Sequence, residues 1–336
     1  MNKALENLSE DASDDTRDKL KKEDFPDWLT PMKATLTHDH FSDPDWIYER
    51  KLDGERCLVF KPEGGKVKIM SRNKKEQNSF YPELADAFSG LEGAFVLDVE
   101  VVTFKDNVSS FSKLQKRMHV QNPSGELKKD VPVYAYIFDI LHLDGYSLTG
   151  LPLIARKKAL KDAFELQKPL YYLSHRREDG EKYLKEACEK NWEGIIAKDA
   201  ESTYVHDRSR KWLKFKCGFE QEFVIGGFTA PEGERKGFGA LLVGFYDGED
   251  LMYAGKVGTG YDDEFLKNFR EKMENHTRKT CPFKDFDDKE EGMTWLTPHF
   301  VGEVGFTEWT DENKLRHPRF LGLRKDKDPK DVVKEG

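Results

Sequence analysis

The chain is 336 residues long, enough for about two ordinary domains, and 37% of it is hydrophobic against 35% charged. Its formal net charge is −8. No run approaches the ~18 apolar residues of a membrane span, and the opening MNKALENLSEDASDD lacks the apolar stretch of a signal peptide. The cysteines Cys57, Cys188, Cys217 and Cys281 are widely separated with no C-x-x-C pair, which excludes a zinc ribbon and predicts free thiols in a reducing cytoplasm rather than disulfides.

Residues 1–25 are polar, charged and poor in large apolar side chains, and are expected to form a mobile or marginally helical arm. Strand-like runs follow at Trp46–Lys51, Arg56–Lys61 and Lys66–Arg72, the last two separated by a Pro-Glu-Gly-Gly turn. Helical spacing at Tyr81–Phe88 precedes a β-rich run at Phe95–Phe104. A helix over Ser109–Met118 and a strand over Val131–Leu141 come next, then amphipathic helices over Ile154–Phe164 and Glu178–Lys190. Strands over Gly194–Lys198 and Lys211–Lys216 close this part. The mixture predicts an α+β domain over residues 26–218 with mainly antiparallel strands.

Beyond Gly218 the reading changes to strands at Phe223–Phe228, Ala240–Tyr246, Leu251–Val257 and His299–Thr307, with one helix at Asp262–Asn275. Asp247-Gly248 is a hairpin turn. Short strands with one helix predict a small barrel over residues 219–328, of the oligonucleotide-binding (OB) type, with 329–336 as a tail.

The negative charge is unevenly spread. Residues 1–30 carry nine acidic and five basic groups, and Lys284–Gly292 carries five and two. The near-neutral remainder contains basic stretches at Lys66–Lys75, Lys113–Lys129 and Arg208–Lys216. Local fields steer a polyanion more than total charge does, so a nucleic-acid partner stays open.

Lys51-Leu52-Asp53-Gly54-Glu55-Arg56 suits an amine attacking phosphorus. Lys51 would attack, Asp53 would orient it or help hold a metal, Gly54 would let the backbone turn, and Arg56 would pair with phosphate or nucleotide. A charged hairpin lip reads the same way, so the string alone leaves both possibilities open. An amine near pKa ~10.4 is protonated at neutral pH; neighbouring Lys214 and Lys216, a metal and desolvation would all oppose that form. Lys214 and Lys216 alternate along one strand and share a face with Trp212.

The ordered strings Lys51–Arg56, Ser71-Arg72-Asn73, Leu97-Asp98-Val99-Glu100, Tyr136–Leu141, Glu193–Lys198, Lys211–Lys216 and Arg316–Lys327 resemble the motifs of the covalent nucleotidyltransferase superfamily. That superfamily comprises ATP-dependent DNA ligases, RNA ligases and mRNA capping enzymes. The resemblance spans residues 49–327 and departs from the usual pattern at Val99, where the family carries glycine. It implies that Lys51 is adenylylated, that Phe138 stacks on the purine, and that Glu49 reads the purine edge. It further implies that Arg56, Arg72, Glu100, Glu193, Lys214, Lys216, Arg324 and Lys327 bind ATP, with Arg324 and Lys327 brought in by closure of the OB domain. Glu193 and Glu100 are the implied ligands of magnesium, with manganese as a substitute.

Phe111–Arg117 is similar to the F-x-x-L-Q-x-R helix of DNA ligases, and residues 231–242 and 254–260 resemble the OB domain of bacterial ligases linked to end joining. The implied protein is a minimal two-domain bacterial or viral-type DNA ligase, expected to be monomeric and cytoplasmic, used at the nucleoid on nicked double-stranded DNA. Repair or end-joining proteins are the expected partners. Lys116, Arg117, Arg208, Arg210, Arg235 and Lys236 are the candidate DNA contacts. An RNA ligase, a GTP-using capping enzyme and a non-catalytic OB-fold single-strand binder are the alternatives.

Overall fold

The run Phe95–Val102 is buried on both faces, and that sets the architecture of the first half. A strand of this kind needs cover on either side. Phe95, Leu97, Val99 and Val101 turn to one cluster with Leu84, Phe88 and Leu160, while Val96 and Val102 turn to another. In the computed structural model, which describes residues 3–11, 14–118, 120–231, 233, 235–286 and 292–335, the chain divides into two units, Met1–Cys217 and Gly218–Gly336.

The first unit holds a seven-stranded sheet. Lys21–Lys22, Tyr146–Ser147, Tyr134–Leu143, Phe95–Val102, Glu55–Lys61 and Lys68–Ser71 lie side by side, and Leu170–Tyr172 adds parallel to Tyr134–Leu143. The five strands His175–Arg177, Trp46–Lys51, Gly194–Asp199, Arg208–Lys216 and Lys33–Leu36 form a second sheet. Helices Pro82–Ser89 and Leu153–Ala163 pack on the outer face of the first sheet. Helix Gly180–Glu189 covers the second through Tyr183, Leu184 and Ala187 against Tyr48, Ile195 and Phe215. Between the two sheets, Leu58, Phe60, Phe138 and Leu141 meet Ile47, Leu52, Tyr204 and Trp212.

Phe138 and Leu141 reach that inner layer by an irregularity. Along Tyr134–Leu143 the register with Phe95–Val102 passes from Val99↔Ile137 to Asp98↔Asp139, and from Leu97↔Ile140 to Val96↔His142. Phe138 and Leu141 therefore stand opposite no residue. A bulge of this kind re-aims a side chain, and here it turns two apolar residues into the cleft.

Two expectations need correction. Residues 1–25 are not a free arm throughout: helix Lys3–Asp11 buries Ala4, Leu5 and Leu8 in the same cluster as Leu160, and Asn7 Nδ2 donates to Asp162 Oδ2 at 2.9 Å. Three small or apolar residues at helical spacing are enough to make one buried stripe within a polar segment. Nor are all the thiols free. Cys188, at the end of helix Gly180–Glu189, is disulfide-bonded to Cys217, which follows strand Arg208–Lys216. The strand pairing carries these distant positions to a Cα–Cα separation of 5.2 Å, which spacing in the chain does not reveal.

In the second unit, Asp250–Val257, Leu241–Asp247, Phe219–Thr229, Met293–Phe306 and Thr277–Arg278 pair in that order, and Arg319–Leu323 adds to Met293–Phe306. Helix Asp263–Glu274, capped by Asp262 Oδ1 on the Phe265 amide at 2.7 Å, sends Leu266, Phe269 and Met273 into the sheet's core. Glu232 and Glu234 of the passage 231–242, and residues 287–291 of the acidic segment, lie outside the described residues. Among the described residues, no helix is long and apolar enough to cross a membrane.

Candidate active site

Lys51 ends its strand, and in the register it faces Gly194, which also faces Lys216 on the other side. Glu193 precedes that glycine, so its carboxylate lies between two ammonium groups. Glu193 Oε1 is 2.5 Å from Lys51 Nζ and 3.4 Å from Lys216 Nζ. The glycine is required by space: a Cβ on Gly194 would stand 2.1 Å from the Phe215 carbonyl oxygen, and its φ is +148°. Gly54 has a related role rather than the tight turn expected of it, since a Cβ there would meet the Val101 carbonyl oxygen at 2.3 Å. This close approach seats the Lys51 segment against Phe95–Val102.

Asp53 secures the same segment. Its Oδ2 accepts the Phe111 amide at 2.9 Å, and its own amide donates to Ser109 Oγ at 3.0 Å. The short helix Phe111–Gln115, capped by Ser110, is thereby tied to the lysine string.

A second cluster lies along the same strand. Glu49 is buried, with Oε1 on the Lys157 ammonium and Oε2 2.6 Å from Lys198 Nζ. Lys157 also donates to the carbonyls of Phe138 at 3.2 Å and Leu173 at 2.9 Å. Burial alone would raise the Glu49 pKa, but the two lysines hold it below the ordinary carboxylate value. Lys198 Nζ lies 4.4 Å from the centre of the Phe138 ring and 4.0 Å from that of Trp212. Phe138 is thus an aromatic plate bordered by a charged, hydrogen-bonded edge, the arrangement a purine can use.

Arg56, expected to pair with phosphate or nucleotide, is held by the protein's own acceptors. Its Nε and Nη2 donate to Asp98 at 2.9 and 2.6 Å, and its Nη1 to the Met32 carbonyl at 2.6 Å. Tyr204 donates its hydroxyl to the same Asp98 at 2.6 Å. The guanidinium lies 5.3 Å from the Phe138 ring centre, so Arg56 supports the plate. Arg117 is corrected more sharply. It is wholly buried, paired with Glu83 at 2.6 Å and donating to the Val131 carbonyl at 3.0 Å, so it braces the fold and cannot touch DNA from there.

The remaining residues are placed as follows. Glu100 stands in register between Arg56 and Tyr136, and Lys214 faces Ile196 two residues before Lys216. Arg72 directly follows strand Lys68–Ser71. Lys116, Arg208, Arg210 and Lys236 are exposed; Arg235 is half-buried, donating to the Gly258 carbonyl at 2.9 Å. In the second unit Arg324 meets Asp326 at 2.9 Å and Glu303 at 3.3 Å, and Lys327 meets Glu222 at 2.6 Å. Sequence reasoning quoted Lys198, Trp212 and Asp98 within its strings without giving them a role of their own, and it did not name Lys157. Lys157 left a trace, because with Leu153 and Leu160 it occupies the buried side of its helix, an odd place for a lysine.

Residues 31–216 match the family model described as "ATP dependent DNA ligase domain", and residues 234–327 match "ATP dependent DNA ligase C terminal region". The multifunctional non-homologous end joining protein LigD of Pseudomonas aeruginosa is 32% identical over 323 residues, covering 94% of this chain and 37% of that protein. LigD of Mycobacterium tuberculosis strain H37Rv is 36% identical over 321 residues, covering 92% of this chain and 40% of that protein. The chain therefore spans about two fifths of the length of these curated relatives. A solved structure, mycobacterial DNA ligase D complexed with ATP and MES, superposes with a TM-score of 0.64 at 33% identity, covering 91% of this chain and 98% of that one.

Proposed function

We propose, from the premise that this chain belongs to the ATP-dependent DNA ligase family, that it seals 5′-phosphate/3′-hydroxyl nicks in DNA through a lysyl-AMP intermediate on Lys51. The carrying observation is Glu193 set between Lys51 and Lys216, on the same strand pair that positions Glu49 and Lys198 beside Phe138.

In the first step Lys51 Nζ forms a bond to the α-phosphorus of ATP, the bond to pyrophosphate breaks, and the ammonium proton leaves. Glu193 Oε1 is the acceptor within reach of that proton. Lys216, and Lys214 two residues earlier on the strand, supply positive charge to the phosphates. In the second step an oxygen of the DNA 5′-phosphate attacks the same phosphorus and the N–P bond breaks. In the third the 3′-hydroxyl attacks the 5′-phosphate, AMP leaves, and the strand is closed. One site can serve all three, since each places charge on transferring phosphoryl oxygens.

Magnesium takes hard oxygen donors. The Glu193 carboxylate fits that chemistry, as does Glu100, which shares its side of Phe95–Val102 with Val96 and Val102, and the ion would neutralise phosphate charge. Arg72 and Glu100 would serve the ribose and phosphates, and Arg324 and Lys327 the phosphates. Lys116, Arg208, Arg210, Arg235 and Lys236 would contact the DNA backbone, giving salt-sensitive binding. A role in end joining with repair proteins is the reading favoured by likeness to the LigD proteins.

The test is to incubate the protein with α-labelled ATP and a divalent cation, denature it, and look for label on the chain. Label that is lost in Lys51→Ala, together with closure of nicked DNA but not nicked RNA, is expected. Label surviving Lys51→Ala, or label from GTP alone, would overturn the assignment.

A further inference from the structure

Arg50 lies immediately before Lys51 on the same strand and points to the opposite side. Its guanidinium lies 4.0 Å from the centre of the Trp192 ring and 5.6 Å from that of Phe104. Trp192 in turn immediately precedes Glu193, so both members of the reacting pair have a chain neighbour in this second cluster. Nε and Nη2 of Arg50 are shielded from solvent, yet among the described residues they meet no hydrogen-bond acceptor. The contrast with Arg117 and Arg156 is direct, for those buried arginines meet Glu83 and Asp139. Burial pushes the Arg50 pKa down. A guanidinium held flat by aromatic rings and lacking an acceptor is a position arranged for an incoming anion.

Its surroundings indicate which anion. Phe104 touches Tyr134 and Tyr136 at ring-centre distances of 5.9 and 6.0 Å, and Tyr136 stacks on Tyr171 at 5.2 Å with planes 23° apart. Phe104, Tyr134 and Tyr136 pack on the same apolar cluster that contains Phe138, and these rings and Tyr171 are all half-buried. Exposed Lys168 and Lys190 border the set, their ammonium groups 5.7 and 5.1 Å from Tyr134 and Trp192. Rings flanked by cations are how proteins hold a nucleic-acid strand, the rings stacking bases and the cations meeting phosphates. The triphosphate of ATP would use the cation but has no use for a row of rings.

We propose that Arg50 binds a backbone phosphate of the nucleic-acid substrate, and that Phe104, Tyr134, Tyr136 and Tyr171 form a stacking surface for bases of that strand. The proposal rests on the ligase reading in taking nucleic acid as substrate, but its readout is affinity rather than catalysis. Arg50→Gln, Arg50→Lys and Tyr171→Ala in the full chain are compared with the parent for affinity to nicked duplex across salt concentrations, for Lys51 labelling, and for thermal unfolding. Arg50→Gln is expected to weaken DNA binding about tenfold, the scale of a lost charge-assisted hydrogen bond. The slope of log affinity against log salt becomes shallower by about 0.9. Arg50→Lys recovers part of the affinity and all of the slope, and Tyr171→Ala weakens binding with the slope unchanged, because stacking carries no charge. Unchanged affinity and slope in Arg50→Gln overturn the proposal. So does a raised KM for ATP at unchanged DNA affinity, which assigns Arg50 to the triphosphate. Equal loss of labelling and DNA binding with a lowered unfolding temperature assigns it a structural role and also overturns it. Failure of the parent to label, with DNA affinity still dependent on Arg50, would defeat the catalytic reading alone.

Discussion

Two carboxylates, Glu49 on strand Trp46–Lys51 and Glu193 just before the neighbouring strand Gly194–Asp199, each face two lysines, and they are set to opposite ends. Glu49 and its partners Lys157 and Lys198 are sealed, with side-chain exposures of 1%, 1% and 3%. Glu193 is 10% exposed, and its partner Lys51 is 19% exposed. In the sealed set no water can replace a lost partner, so removing one strands a charge at a cost of about 3–5 kcal/mol. In the more open set water reaches Lys51 and eases the loss of a partner there, while Lys216 is 7% exposed and stays beside Glu193. Trading partners is what a nucleophile and its acceptor must do, whereas an edge that recognises a base gains from staying fixed. The same residue types thus serve chemistry or shape according to their access to solvent.

The largest effect expected from this difference is at Lys51. Lys51→Ala should abolish labelling by α-labelled ATP while leaving the thermal unfolding temperature near that of the parent. Glu193→Gln should follow with a fall in labelling rate of roughly 10²–10³, the scale of a lost charge-stabilising group, again with little change in unfolding. A loss of stability in either variant equal to that of Glu49→Gln would break the comparison.

Substitutions in the sealed set should act on the fold first. Glu49→Gln or Lys157→Met is expected to cost about 3–5 kcal/mol in denaturant unfolding, because each leaves a buried partner behind. Arg117→Ala should cost less, because Glu83 is 29% exposed and water can solvate it, so that the loss comes from the unpaired Val131 carbonyl and the vacated space, and it should leave DNA affinity intact in the folded fraction. A smaller consequence is pH-dependent. The folded-state pKa of Glu49 lies below its ordinary value of 4.5, so its stabilisation is present above that value and lost as pH falls through the folded pKa. Acid unfolding followed by circular dichroism should therefore be flatter below pH 4.5 in Glu49→Gln. An acid limb as steep as the parent's would remove Glu49 from the explanation.

Much of this was legible in the chain. The strand Trp46–Lys51 falls where the sequence puts it, and most helices and strands shift by only a few residues. Lys51, Glu193 and Lys216 were named from residue chemistry and motif likeness, and the structure brings them together. What stayed hidden depends on pairing between distant segments. The run Tyr134–Leu143 is mostly apolar with no strict alternation, so nothing in its spacing shows that a skipped register turns Phe138 inward. Short strands such as Lys33–Leu36 and Leu170–Tyr172 have too few residues for a period to show, and exist because a neighbour offers an edge. Arg117 reads as surface charge because arginine usually is, and only the fold supplies Glu83. The same blindness hid Lys157.

The smallest predicted effect lies at Lys116, the residue just before Arg117, where the contrast between open and sealed charge recurs without any catalytic role. Lys116 is exposed and Arg117 buried, although both belong to one basic run. Lys116→Ala should leave unfolding unchanged, weaken nicked-DNA binding a few-fold at low salt, and flatten the salt slope by about 0.9, the signature of one phosphate contact. Because counterion release weakens as salt rises, the difference from the parent should shrink with salt concentration. A few-fold loss that persists at high salt would mean that Lys116 acts through packing of helix Phe111–Gln115. It would then stand with Arg117 among the residues that hold the Asp53 segment in place.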